Sequence, residues 1–297
     1  MRRGTYSIVA RDPDSGELGV AVQSHWFNVG SVVSWARAGV GAVATQSLVE
    51  PAYGPRALAL LEDGVGATDA LRRLTADDPR SDVRQVAIVD AAGDVAVHTG
   101  ERCIEFAGDR TGAQFSVQAN MMAGAEVWPA MAAAYEASGG PLARRLLAAL
   151  NAAEDAGGDA RGRQSAALLV VAADGDPWRR VADVRVDDHP EPLAELERLL
   201  DLSDAYALAT QGDELVGQGR HDDAADRYSR ASALAPDNHE LLFWSGLGAA
   251  GGGDMDTALR RVRRAIELQP GWRELLGRLE PDMAPTAAAV RSALDDG

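Results

Sequence analysis

From Thr5 to Ala10 the side chains alternate, so Thr5, Ser7 and Val9 share one face of a predicted strand while Tyr6, Ile8 and Ala10 share the other. Asp12-Pro13-Asp14-Ser15-Gly16 is dense in turn formers, and the chain returns as an apolar run over 18–24 that ends at His25. That pattern predicts a hairpin. A third strand is expected over 41–47, after which Glu50-Pro51-Ala52-Tyr53-Gly54-Pro55 breaks the chain. Leucines at helical spacing predict helices over 56–62 and 68–75, separated by Gly64 and Gly66. Strands follow over 86–89, 95–98 and 115–120, then helices over 126–137 and 141–154. Beyond the break at Gly157-Gly158, segments 166–172 and 180–186 pattern as a closing hairpin. Blocks of paired helices between blocks of strands predict an α+β domain, two sheets face to face with helices outside. No glycine-rich fingerprint follows a strand, which disfavours a dinucleotide-binding parallel sheet.

From about Pro190 the pattern turns wholly helical and begins to repeat. Gly212, Gly219, Ala224, Tyr228, Ala231 and Pro236 recur 34 residues later as Gly246, Gly253, Ala258, Val262, Ala265 and Pro270. A period of this length, with small residues where paired helices cross and proline at the repeat end, resembles the tetratricopeptide repeat. The chain therefore divides into 1–190 and 191–297, the second part a tetratricopeptide-like helical domain. Two repeats fall short of the three usually needed for independent stability. They are expected to dock on the first domain or on a second copy, and to offer a surface for a protein partner.

Composition narrows the chemistry. All 29 basic residues are arginine, so Schiff-base and phosphate-loop lysine mechanisms are excluded. A net charge of −16 argues against nucleic acid as the partner. No apolar run is long enough for a secretory signal or a membrane span. The single cysteine, Cys103, rules out an intramolecular disulfide and fits a reducing, cytoplasmic setting. Five scattered histidines and one thiol form no metal-binding spacing, and no cofactor is expected.

The hydroxyl that needs explaining is Thr5, directly after Gly4 at the head of the first strand. Cleavage of Gly4-Thr5 would give Thr5 both a nucleophilic hydroxyl and a free α-amine able to serve as its base. The alternative is an ordinary strand threonine. Ser7 lies on the same face and would be the hydroxyl available without cleavage. His25, at the tip of the second strand, reads either as a site residue reaching back to Thr5 or as a turn cap. Gln46, Gln118 and Asn120 place amides at or near strand ends, where they can hold an oxyanion or terminate a strand. Arg37 suits a substrate carboxylate or the surface. His98 reads as a strand end, and His189, His221 and His239 as solvated.

The segments 5–13, 19–25, 39–46, 53–56 and 116–120, taken together and in order, resemble a bacterial family catalogued as domain of unknown function 1028. The likeness spans about 1–190. That family is similar in fold to the N-terminal nucleophile hydrolases, which implies a four-layer α/β/β/α sandwich and a self-exposed nucleophile acting on amide bonds. On that resemblance Thr5 takes the nucleophile position. Where the proteasome-type pattern has an aspartate at the end of the second strand this chain has His25, and the lysine of that pattern is missing. Because Arg2 is large, removal of Met1 alone would not expose Thr5, and self-cleavage is required.

Two readings result. The first is a hydrolase of amide or related C–N bonds in a small-molecule or peptide-like substrate. In it Thr5 is the nucleophile, Asn120 an oxyanion donor and His25 an orienting group, while Ser7, Gln46, Arg37 and Gln118 line the substrate site. The second is an idle hydrolase-like scaffold that works through its repeats. In both a homo-oligomer would cover the repeats' open ends.

Overall fold

The alternation at the head of the chain builds the central strand of a sheet. In the computed structural model, which describes residues 4–296, β1 (Thr5–Arg11) pairs with β2 (Leu18–Ser24) on one side and β8 (Phe115–Asn120) on the other. Adding β7 (Gly108–Gly112), β9 (Ser165–Val171) and β10 (Arg180–Val186) gives a six-stranded sheet of order β10-β9-β2-β1-β8-β7. A second sheet of order β3-β4-β5-β6 is built from Ser34–Arg37, Gly41–Ser47, Arg84–Asp90 and Val95–Thr99. Every pairing between these strands is antiparallel. The pattern did not predict the short helix α1 (Gly30–Val33), β3 or β7. These are edge or connecting pieces of four or five residues, and β7, Gly-Asp-Arg-Thr-Gly, has no apolar residue to betray it.

Period-two alternation assigns each strand face a layer. Val9, Val20 and Val22 of the first sheet meet Ala42, Ala44, Ala87 and Val89 of the second in one apolar cluster. The outer face of the second sheet, with Val43, Val86 and Ile88, is covered by α2 (Tyr53–Glu62) and α3 (Ala67–Ala76). On the other sheet, α4 (Val127–Ala137) brings Tyr135 within 4.6 Å of Phe115, and α5 (Leu142–Asp155) lies over β1 and β2. Gly19 is required there, because a side chain would meet Leu146 at 2.6 Å. The Tyr6 hydroxyl donates to Glu154 at 2.6 Å, tying β1 to the end of α5. At the Thr5 end, by contrast, the residues between the sheets are polar.

The remaining helices are α6 (Pro192–Gly217), α7 (His221–Leu234), α8 (His239–Gly251), α9 (Met255–Leu268), α10 (Gly271–Arg278) and α11 (Ala287–Asp295). The chain divides into units Met1–Arg198 and Leu199–Gly297, so the division falls within α6 and later than the boundary at 190 set by composition. The 34-residue recurrence has a structural counterpart. A methyl on Gly212 would lie 2.7 Å from Tyr228, and one on Gly246 would lie 2.7 Å from Val262, the same pair one repeat on. Gly219 and Gly253 both take left-handed φ, 73° and 86°, in the turns after α6 and α8. That conformation is available to glycine at little cost. His239, expected in solvent, instead accepts from Trp272 Nε1 at 2.9 Å, and Trp272 stacks on Phe243. Among the described residues no helix is long and apolar enough to cross a membrane.

Gly54, inside α2, shows where packing overrides helix propensity. Alanine would favour the helix by about 1 kcal/mol, but its methyl would lie 2.2–2.4 Å from three indole atoms of Trp35. That ring is held by its own bond to the Val32 carbonyl at 3.2 Å, and overpacking costs about 1–3 kcal/mol. Gly54→Ala is therefore expected to lower unfolding stability by up to about 2 kcal/mol, read from the denaturant midpoint. A raised midpoint would show that the indole moves freely.

Candidate functional site

Seven side chains from five strands converge between the sheets: Thr5 and Ser7 of β1, Ser24 of β2, Gln46 of β4, Gln85 of β5, and Gln118 and Asn120 of β8. All are buried, none more than 3% exposed. Amides are costly to bury unless each donor and acceptor finds a partner. Here they bond chiefly to one another. Gln118 Nε2 donates to Ser7 Oγ and Ser7 donates to Gln46 Oε1, both at 2.6 Å. Gln46 Nε2 and Asn120 Nδ2 both donate to Gln85 Oε1, at 2.8 and 3.0 Å, and both reach the Thr5 carbonyl at 3.3 Å. Gln85 Nε2 turns to Thr99 Oγ1 at 2.9 Å and the Ala119 carbonyl at 2.9 Å. Asn120 Oδ1 is buried with no donor among the described residues.

The second cluster surrounds the peptide before Thr5. The Gly4 carbonyl oxygen accepts from Thr5 Oγ1 at 2.6 Å, from Arg161 Nη2 at 2.7 Å, and from Ser24 Oγ in a short bond. Thr5 Oγ1 is also 3.1 Å from Ser24 Oγ, within hydrogen-bond reach. Arg161 is aimed by Asp159 through a bidentate pair, Nε to Oδ1 at 3.0 Å and Nη2 to Oδ2 at 2.7 Å. The Asp159 carboxylate is fully buried and also accepts from the backbone N–H of Arg161 at 2.9 Å and of His25 at 3.0 Å. Fork geometry and these extra donors offset much of the cost of burying the charge. Gly4 has to be glycine in this arrangement, since a Cβ would approach the Asp159 carboxylate to 2.7–2.9 Å.

Beside Thr5 lies a cavity of about 10 Å³, lined by Thr5, Trp26, Val29, Val33, Gln46 and Ser47 among others. That is on the scale of one water. Ser47 and Met121, directly after Gln46 and Asn120, hold left-handed φ of 69° and 56°. Non-glycine residues seldom adopt this conformation, and it concentrates at functional sites.

Of the residues singled out from sequence, the fold brings Thr5, Ser7, Gln46, Gln118 and Asn120 together. His25 is exposed, and it meets the cluster only through its backbone N–H, because it is Ser24 that points inward beside Val22 and Val20. Arg37 pairs with Glu62 on the surface and sits opposite Gly41, five residues and roughly 17 Å along β4 from Gln46. Met1, Arg2 and Arg3, the leader whose release was expected, lie outside the described residues. Burial raises the Cys103 thiol pKa, as suits a structural cysteine. Among the described residues no cluster of histidine, cysteine and carboxylates is arranged to hold a metal.

Sequence reasoning missed Ser24, Gln85, Asp159 and Arg161. The alternation that put Val20 and Val22 on one face already pointed to Ser24. Asp159 and Arg161 stand in a glycine-rich loop with no periodicity to read, although such loops often carry function. Gln85 lies outside the apolar run that marks its strand, which begins at Val86, two residues after the strand itself begins at Arg84.

Gln85 holds the amide layer together. Gln85→Met would take from Gln46 Nε2 and Asn120 Nδ2 their shared acceptor, leaving each its longer bond to the Thr5 carbonyl, and would take from the Ala119 carbonyl its side-chain donor. Because the two amide nitrogens keep longer bonds, the expected loss is about 1–3 kcal/mol of unfolding free energy. Chemical denaturation would measure it, and a loss under about 1 kcal/mol would mean the network re-forms around the gap.

Comparison with functionally curated proteins finds no match. Among solved structures, the chain is similar to a crystal structure of a protein from Silicibacter pomeroyi that carries the same family designation, DUF1028. The two are 36% identical with a TM-score of 0.61, over 66% of this chain and 84% of that one. The DUF1028 family, described as a family of unknown function, matches residues 5–196. The chain is a member of the DUF1028 family.

Proposed function

We propose that this chain is an N-terminal nucleophile hydrolase that matures by cutting its own Gly4-Thr5 bond and then acts on amide or related C–N bonds in a small or peptide-like substrate. On this reading the first unit is the four-layer α/β/β/α sandwich of that superfamily and the helices after it are a tetratricopeptide-like pair. The observation that carries the reading is the Gly4 carbonyl, whose oxygen takes donors from Arg161 and Ser24 with the Thr5 hydroxyl 2.6 Å away. Donors aimed at a carbonyl oxygen stabilise the negative charge that develops when its carbon is attacked.

Thr5 Oγ forms a bond to the Gly4 carbonyl carbon while its proton passes to Ser24 Oγ, 3.1 Å away, and the Ser24 proton moves to the oxyanion. Collapse breaks the Gly4–Thr5 C–N bond, the proton returns to the departing nitrogen, and an ester remains on Thr5 Oγ. Water cleaves the ester, releasing the Gly4 carboxylate and leaving Thr5 with a free α-amine. That amine serves as base in later turnovers. Asn120 Oδ1, buried without a donor and opposite Thr5 in the β1–β8 register, is a ready acceptor for the new amine. The donors vacated by Gly4 then face the substrate carbonyl, and the leader's departure opens a site that holds no more than a water beforehand.

Intact-mass measurement of the purified chain tests this directly. Loss of residues 1–4, abolished in Thr5→Ala and slowed about 10²–10³-fold in Arg161→Gln, is the expected result. A full-length mass in a folded protein would overturn the hydrolase reading in favour of an idle scaffold acting through its helices.

A further inference from the structure

Far from any role in that chemistry, the helical unit contains a concavity of about 500 Å³ between α6, α7, α8 and the α10–α11 connection. We propose that it binds a small organic cation, a primary amine or guanidine carried on an apolar body. The volume falls within the range of small-molecule sites. Three aromatic side chains line it, Tyr206, Tyr228 and Trp244, together with two carboxylates, Asp213 and Glu240. Aromatic faces and carboxylates in one recess are the combination that attracts an organic cation.

The two carboxylates carry the argument. On the outer surface of this unit Asp226, Asp237 and Glu267 each pair with an arginine. Asp213 and Glu240 pair with none among the described residues, and no arginine lines the cavity. Each accepts a tyrosine hydroxyl on one oxygen only, Tyr228 to Asp213 Oδ1 and Tyr206 to Glu240 Oε2, both at 2.6 Å. Asp213 Oδ2 and Glu240 Oε1 are left to receive N–H donors. The only other titratable lining group is His221, and even when protonated it leaves the recess net negative. Burial and Asp213 push the Tyr228 hydroxyl well above its usual pKa, so it stays a donor and the negative charge remains on the carboxylate.

Tyr228 is buried and Asp213 is exposed, so packing does not call for a carboxylate at 213. One repeat later the positions of Asp213 and Tyr228 are filled by Leu247 and Val262, which belong to the apolar core of the unit. The same helix-pair geometry therefore closes with aliphatic residues. Tyr228 is held rigidly instead, its ring between Gly212 and Gly248, where side chains would approach it to 2.7 and 2.5 Å. Met283, 75% exposed, stands among the lining residues as apolar surface for a ligand's body.

Calorimetric titration of the full chain with phenethylamine, agmatine and the neutral analogue 2-phenylethanol tests the proposal. At least one cation is expected to bind one to one, with the neutral analogue weaker by about tenfold or more. Asp213→Asn and Glu240→Gln keep an acceptor for each tyrosine, and each is expected to weaken the cation about tenfold with an unchanged circular dichroism melt. Thr5→Ala is expected to leave binding unaltered, which separates this site from the hydrolase reading. The proposal is overturned if neither cation binds up to roughly 10 mM, far weaker than a specific site, or if the neutral analogue binds equally well. It is also overturned if the carboxamide variants bind as the parent does, or if an arginine-containing peptide binds where the free cations do not.

Discussion

Amides buried between two sheets set the terms for the whole first unit. Gln46, Gln85, Gln118 and Asn120 are each 1% exposed or less, and any that lost its partners would cost about 1–3 kcal/mol. The cheapest arrangement is the one found, in which the amides from β4, β5 and β8 satisfy each other and the Thr5 carbonyl. Such a network admits little slippage. Shifting β1 by one residue would replace Thr5 and Ser7 between the sheets with Tyr6 and Ile8, leaving the amides without Ser7 and two bulky side chains in their place. Polar satisfaction thereby fixes the register that the apolar half of the interface, lined by small and branched residues, constrains less sharply.

A fixed register has a local consequence at the head of β1. Thr5 and the peptide before it are held against the fully buried Asp159 carboxylate and the partly exposed Arg161 guanidinium that it orients. The chain's exclusive use of arginine matters here. A lysine ammonium could neutralise Asp159, but it could not grip both carboxylate oxygens and still direct an N–H at the Gly4 oxygen. Two constraints meet at Gly4 itself, where the buried carboxylate forbids a side chain and three donors gather on one carbonyl oxygen.

Much of this was legible in the residues, and the failures have physical causes. Period-two alternation placed Thr5 and Ser7 on a common face, and the strand ends at Gln46 and Asn120 were read as amide positions. Alternation is a short-range signal that a pleated backbone enforces directly. It does not say which of two adjacent residues at a strand tip turns inward, so it points to His25 where Ser24 does the bonding. Arg37 failed for another reason: nothing local in a sequence reports that β3 pairs with the far end of β4. Asp159 and Arg161 lie in a loop, and their role arises from a contact with Gly4 across more than 150 residues, beyond the reach of any periodicity. The helical unit was clearer because its 34-residue recurrence compares the chain with itself.

That self-comparison is also what makes departures meaningful. When one repeat closes around Leu247 and Val262 and the other around Asp213 and Tyr228, backbone geometry is held nearly constant and only side-chain chemistry differs. Tyr228 is buried and Asp213 is exposed, so the fold does not need a carboxylate at 213 to fill the helix crossing. The amide layer between the sheets is unlike this in one respect, since its members satisfy each other almost completely, whereas Asp213 and Glu240 line a recess and each has one oxygen with no partner among the described residues. A closed network explains itself by the structure it holds, whereas two carboxylates that line one recess with aromatic rings and no arginine point to a cation supplied from outside the chain.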